Sequence, residues 1–200
     1  ETKSNEIVEV MDRALFEAQS GRKGPVWIDI PLDLQSAQIE PREILSEKKN
    51  ELSKKITTSI DLRELIVELN KAKRPVILIG RGVRSSGAES QLINFIETAK
   101  IPLTFTASAP DTYGTENKFS IGSVGAMGCS RAGNFAVQNS DFLLVLGSRL
   151  TPLNTGQDFH KFAREAYIAV VDIDPVEHTK ESIKIDQFIE SDVGVFINAM

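Results

Sequence analysis

Residues 74–90, RPVILIGRGVRSSGAES, set an apolar run before Gly80, Gly82 and Gly87, with helix formers behind them. Glycine lets a backbone come close to a ligand, and the start of a helix offers free N–H groups to an anion. Three further stretches share this character: Thr106-Ala107-Ser108, Gly147-Ser148-Arg149 and Asp172-Ile173-Asp174. Each follows an apolar run and so falls at the carboxyl end of a strand, where open parallel sheets bind ligands. An acid in such a place is suited to accept hydrogen bonds from ribose hydroxyls. Together these residues suggest the cradling of a phosphate-bearing nucleotide.

The spacing leaves a second reading open. Gly80, Gly82 and Gly87 form GxGx4G rather than the dinucleotide fingerprint GxGxxG. A tight strand-to-helix turn with no ligand uses the same residues. Asp172 and Asp174 also read as turn residues before Pro175, with Asp174 capping a helix. Arg149 reads either as the charge partner of a phosphate or as the partner of a surface acid. Cys129 reads as an inert small side chain, and His160 and His178 as surface residues. No Ser/His/Asp or Cys/His set has enough members for nucleophilic catalysis, so no catalytic residue and no metal ligand is assigned.

The elements that position these stretches follow from periodicity. Ile7, Val10, Met11, Ala14, Leu15 and Ala18 share one face of a helix over 6–18. VWIDI, 26–30, reads as a short strand, and 36–58, with its prolines and lysines, as a linker. Ser59 then caps a helix through DLRELIVELNKAK. Apolar runs predict strands at 75–80, 101–107, 142–147 and 167–172, and IKIDQFIE adds a last apolar segment. Helices follow at GAESQLINFIETAK and near 130–139, and 108–128 reads as a polar, glycine-bearing stretch. Strands that alternate with helices, each strand almost wholly apolar, predict an α/β fold with a parallel sheet of five or six strands flanked by helices.

Composition narrows the function classes. The 200 residues are 41% hydrophobic and 26% charged, with a net charge of −5. The basic residues are spread along the chain, which argues against a nucleic-acid partner. No apolar stretch approaches the ~20 residues of a membrane span, so no membrane partner is expected. One cysteine excludes an internal disulfide and suits the cytoplasm. The first residue is not methionine, and a piece of a longer protein is expected.

The order of segments resembles the acetolactate synthase group of thiamine-diphosphate enzymes. GRKGPVWIDIPLDLQ is similar to the end of that family's pyrimidine-binding domain. AKRPVILIGRGVRSSGA, IPLTFTASAPD, IGSVGAMGCSRAGNFAVQNSDFLLVLGSRL and VVDIDPVE are similar to successive blocks of its Rossmann-like central domain. The resemblance implies residues 1–35 as the tail of the first domain and 59–200 as the central domain. It also implies a homodimer or homotetramer acting on a 2-oxoacid. The cofactor's C2 carbanion would add to the 2-oxoacid carbonyl, carbon dioxide would leave, and the acyl anion equivalent would pass to an acceptor. Thiamine diphosphate and magnesium would be held by parts of the enzyme outside this chain, which has neither the GDG block nor the activating glutamate's strand. A runner-up reading is a nucleotide-free module that spaces and dimerises the other domains.

In some relatives the central domain holds FAD. Carried over by position, its contacts would fall on Gly80, Arg81, Gly82, Thr106, Ala107, residues 124–127 (with Gly125 and Met127), Gly147, Arg149, Asp172 and Asp192. Two departures stand out. The family's GMHG appears as Gly125-Ala126-Met127-Gly128, which loses the histidine. Its GSRFDDR appears as Gly147-Ser148-Arg149-Leu150-Thr151-Pro152-Leu153, which loses an arginine and two aspartates. These changes make the groove wall less polar and predict a domain without flavin.

Overall fold

The computed structural model describes residues 6–38, 60–180 and 182–200, and the chain divides into two compact units, 1–55 and 56–200. The first contains α1 (Ile7–Gln19) and the short α2 (Leu32–Gln35), neither with a buried residue. The strand expected at 26–30 does not form. VWIDI has no ladder among the described residues, and Trp27 is 92% exposed. β propensity becomes a strand only where a neighbouring strand takes up the backbone hydrogen bonds. Beyond residue 38 the expected linker, and Ser59 as a cap, lie outside the described residues.

The second unit is the α/β domain that the apolar runs predict. Its elements are α3 (Arg63–Lys71), β1 (Pro75–Ile79), α4 (Gly82–Ser85), α5 (Glu89–Ala99), β2 (Leu103–Thr106), β3 (Ser120–Val124), α6 (Arg131–Asn139), β4 (Phe142–Leu146), α7 (Pro152–Thr155), β5 (Tyr167–Asp172), β6 (Gln187–Glu190) and α8 (Val193–Ala199). The six strands are all parallel, in the order β3-β2-β1-β4-β5-β6. This is the order of the doubly wound nucleotide-binding fold, whose direction reverses between β1 and β4. Ile77 is in register with both Leu103 and Leu144, and Leu144 with Ala169.

Strand side chains alternate between the two faces, and β4 shows why its run FLLVL has to be apolar throughout. Phe142, Leu144 and Leu146 join one buried cluster with Leu65 of α3, Leu92 and Ile96 of α5, and Phe196 and Ile197 of α8. Leu143 and Val145 join the other, with Val137 of α6 and Phe162. Each such leucine, removed from water, stabilises the fold by about 1.5–3 kcal/mol.

One strand was not legible. Residues 108–128, a polar, glycine-bearing stretch to which no element was assigned, contain β3, the sheet's edge, with sequence SIGSV and only Val124 buried. Two serines and Gly122, at φ +119°, hide it from an apolar-run criterion. Its pairing with β2 also shifts register between Leu103 and Thr104.

The two central strands are fastened at both ends. At the amino ends, the Asp141 carboxylate accepts the Lys73 N–H at 2.9 Å and the Arg74 N–H at 2.8 Å. Burial opposes ionisation of Asp141, but these two donors outweigh it and hold the carboxyl below its ordinary range. At the carboxyl ends, Gly80 and Gly82 after β1 meet Gly147 after β4, backbone against backbone. A Cβ on Gly82 would stand 2.5 Å from the Gly147 Cα, and one on Gly147 2.6 Å from the Gly82 Cα. Gly147 also has φ +58°, in the left-handed region.

Gly147→Ala therefore combines about 1–2 kcal/mol of backbone strain with about 1–3 kcal/mol of overpacking. Gly87→Ala carries the φ penalty alone, since Gly87 has φ +69° and open space around its Cβ position. Urea unfolding is expected to show the larger loss for Gly147→Ala. Equal losses would show that the β1–β4 contact is looser than described.

Candidate functional site

The nominated residues come together along the carboxyl edge of the sheet, at the ends of all six strands. That much follows from topology, because every strand is parallel. What each residue does there depends on who takes its polar groups.

At the switch point the amides of Gly80, Gly82 and Val83 are already engaged. The Gly82 N–H donates to the Gly147 carbonyl at 2.9 Å, and the Val83 N–H to the Gly80 carbonyl at 3.3 Å. The glycines here serve the close approach of two turns. α4 is a single turn of four residues, so the long helix whose dipole would face a phosphate is absent from this position. Arg81 points into solvent. At the end of β2, Thr106 is buried, its hydroxyl 2.9 Å from that of Ser108, and Ala107 is exposed.

The end of β3 is built on Asn134 of α6. Its carboxamide accepts the Gly125 N–H at 2.9 Å and donates to the Gly125 carbonyl at 3.0 Å, as a paired strand would. The Ala126 N–H donates to the Leu153 carbonyl at 2.7 Å, which ties this turn to the loop after β4. Gly125, at φ +134°, has no room for a side chain, since its Cβ would lie 2.6 Å from that same carbonyl. Met127 and Leu153 turn outward at 73% and 63% exposure. Pro152 is at the first turn of α7, where a missing N–H costs no helical hydrogen bond. Between β3, α6 and α7 lies a cleft of about 230 Å³, with Val124, Gly125, Ala126, Gln138, Asn154 and Phe162 in its wall. None of its lining residues is charged.

The ends of β4 and β5 face each other through acids and bases of the chain itself. Arg149 pairs with Glu177 at 3.1 Å, the surface-acid alternative for its role, although the Glu177 side chain is only 10% exposed. Asp172 Oδ1 accepts the Asp174 N–H at 3.1 Å. Asp174 in turn accepts the N–H groups of Val176 and Glu177 and so starts the 3-10 turn Val176–His178. His178, expected on the surface, is instead buried, its side chain 4% exposed. Its ring packs against Phe188 at 5.2 Å between centroids, and Nε2 lies 3.5 Å from Asp172 Oδ2 without the alignment of a hydrogen bond. His160 and Cys129 are exposed. Asp192, at the end of β6, caps α8 by accepting the Gly194 N–H at 2.8 Å and the Val195 N–H at 3.2 Å.

Among the described residues no cluster of His, Cys, Asp or Glu could hold a metal ion, and no helix is long and apolar enough to cross a membrane. The residues that sequence reasoning missed are Asn134, Glu177 and His178. Asn134 carries no local signal, because its partner Gly125 is nine residues away. Glu177 was visible only as the continuation of DIDP, and His178 reads from sequence as a surface residue.

Comparison with known proteins agrees with this architecture. Residues 62–200 match the family model described as thiamine pyrophosphate enzyme, central domain. A probable acetolactate synthase large subunit of Methanocaldococcus jannaschii is 36% identical over 180 residues, covering 88% of this chain and 30% of that protein. Its counterpart in Methanococcus aeolicus is 33% identical over 199 residues, covering 98% and 33%. The acetolactate synthase isozyme 1 large subunit of Escherichia coli K12 is 36% identical over 174 residues, covering 86% and 30%. The chain spans about a third of the length of these curated relatives. Its strand order, its carboxyl-edge turns and its sequence together place it in the thiamine pyrophosphate enzyme family, as that family's central domain over residues 62–200.

Proposed function

We propose that this chain is the central portion of an acetolactate-synthase-like, thiamine-diphosphate-dependent carboligase or 2-oxoacid decarboxylase. The observation that carries this reading is sequence similarity across 88–98% of the chain to acetolactate synthase large subunits. The whole enzyme would take a 2-oxoacid substrate, require magnesium, assemble as a homodimer or homotetramer and work in the cytoplasm. Thiamine diphosphate, when bound, would supply a nucleophilic carbon for the 2-oxoacid's carbonyl and an electron sink for the loss of carbon dioxide. No residue of this chain is assigned to hold it. The work of residues 60–200 is to provide a rigid body between the parts that do.

For FAD the carboxyl edge is a poor fit as it stands. The cleft of about 230 Å³ beside β3 takes in Gly125 but none of Gly80, Gly82, Thr106, Gly147, Arg149, Asp172 or Asp192. Gly82 N–H, Arg149, Asp172 and Asp192 all have partners within the chain. Met127 and Leu153 offer no hydrogen bond where the family's histidine and arginine would stand. These observations support the nucleotide-free structural reading of the domain, inside an enzyme whose chemistry is elsewhere. They do not touch the carboligase assignment itself.

Two measurements check these readings. The full-length protein is expected to consume pyruvate or another 2-oxoacid only when thiamine diphosphate and magnesium are supplied. The 200-residue chain alone is expected to give no heat on titration with the same pair, and micromolar binding would mean that the domain limits are misplaced. The purified full-length protein should also be colourless and gain no melting temperature from added FAD. A yellow protein with stoichiometric flavin would show that backbone contacts suffice without the lost side chains.

A further inference from the structure

The turn after β5 is more than a connection. Asp174 accepts the N–H groups of Val176 and Glu177 at 3.1 and 3.3 Å, and Pro175 fixes the backbone at φ −64°. Val176 stays exposed, and the two side chains after it, Glu177 and His178, are buried. Glu177, one-tenth exposed, pairs with Arg149 from the end of β4 and also with Lys180. His178, buried against Phe188 of β6, covers Oδ2 of Asp172, whose other oxygen is taken by the Asp174 N–H. The cation and the acid best placed to read a nucleotide are thus occupied by a neighbouring pair of residues, from one rigid turn.

We propose that Glu177 and His178 form an internal plug that excludes nucleotides from this edge of the sheet. The proposal rests on the reading of the carboxyl edge as a nucleotide groove by ancestry. Glu177 holds the guanidinium that a phosphate would need, and its carboxylate repels an incoming phosphate. His178 stands where a ribose would have to sit to reach Asp172. A nucleotide could enter only by displacing both, which would take from Glu177 its ion pair with Arg149 and leave Lys180 as its cation. The specificity is negative: the plug selects against a ligand class instead of recognising one.

The test uses the full-length protein and ADP, which lacks the flavin ring, so that the lost contacts at Met127 and Leu153 do not enter. Calorimetry on the unaltered protein is expected to show no saturation below about 1 mM. The combined substitution Glu177→Gln with His178→Ala should bind ADP at least tenfold more tightly, and adding Asp172→Asn to it should remove that gain. Should the pair lower the melting temperature sharply, Glu177→Gln with His178→Asn keeps the shapes and should still gain affinity. Micromolar ADP binding by the unaltered protein, or no gain in either unplugged protein, overturns the proposal. Thiamine-dependent turnover of a 2-oxoacid, measured on the same preparations, reports on the carboligase reading separately.

Discussion

The backbone contact between Gly80, Gly82 and Gly147 is the constraint on which the rest of this domain depends. A doubly wound sheet changes direction between its two central strands, and the turns that leave β1 and β4 must diverge from one point. In this chain they touch first. The Gly82 N–H bonds to the Gly147 carbonyl, and no side chain fits on either glycine. That contact sets the spacing of the crevice at the switch point, and with it how much room the carboxyl edge has for any ligand. Asp141 fixes the other ends of the same strands through two backbone N–H groups, so neither end of the β1–β4 pair can splay without losing hydrogen bonds.

From that seam outward, the carboxyl edge is organised by turns that satisfy one another. Asn134 replaces a strand partner for Gly125, the Leu153 carbonyl takes the Ala126 N–H, and Asp192 caps α8. Leu150, buried and at φ +49°, accepts a left-handed backbone within the same loop system. A bulky residue in that region costs energy, and here the hydrophobic cluster beneath it holds the conformation. Buried polar groups need partners. An edge that finds many of them internally keeps its turns in place through the chain's own contacts.

Legibility followed burial. Strands with both faces covered, such as PVILI and FLLVL, could be read to within a residue or so, because no polar side chain is tolerated on either face. β3 could not, because an edge strand with one neighbour tolerates serine and glycine. VWIDI was misread for the converse reason: its composition suits a strand, but pairing is a property of a neighbour that the local sequence does not contain. At the site, positions were legible and roles were not. The parallel topology alone sends Asp172, Arg149 and Asp192 to one edge. Whether Asp192 faces a ligand or caps a helix depends on the two residues after it, and Asp192-Val193-Gly194 reads equally well as either until the amides are placed.

His178 shows where such reading stops. A histidine in a polar turn beside proline is usually a surface residue, and its neighbours Glu177 and Lys180 reinforce that expectation. Its burial comes from Phe188, a residue ten positions later whose strand exists only once β5 has formed. The imidazole then meets Asp172 because that residue ends the same β5 strand. The surface reading of His178 fails on this packing, which sets Nε2 3.5 Å from Asp172 Oδ2. Tertiary packing, not local composition, sets this histidine's environment, because the ring that covers it belongs to the next strand.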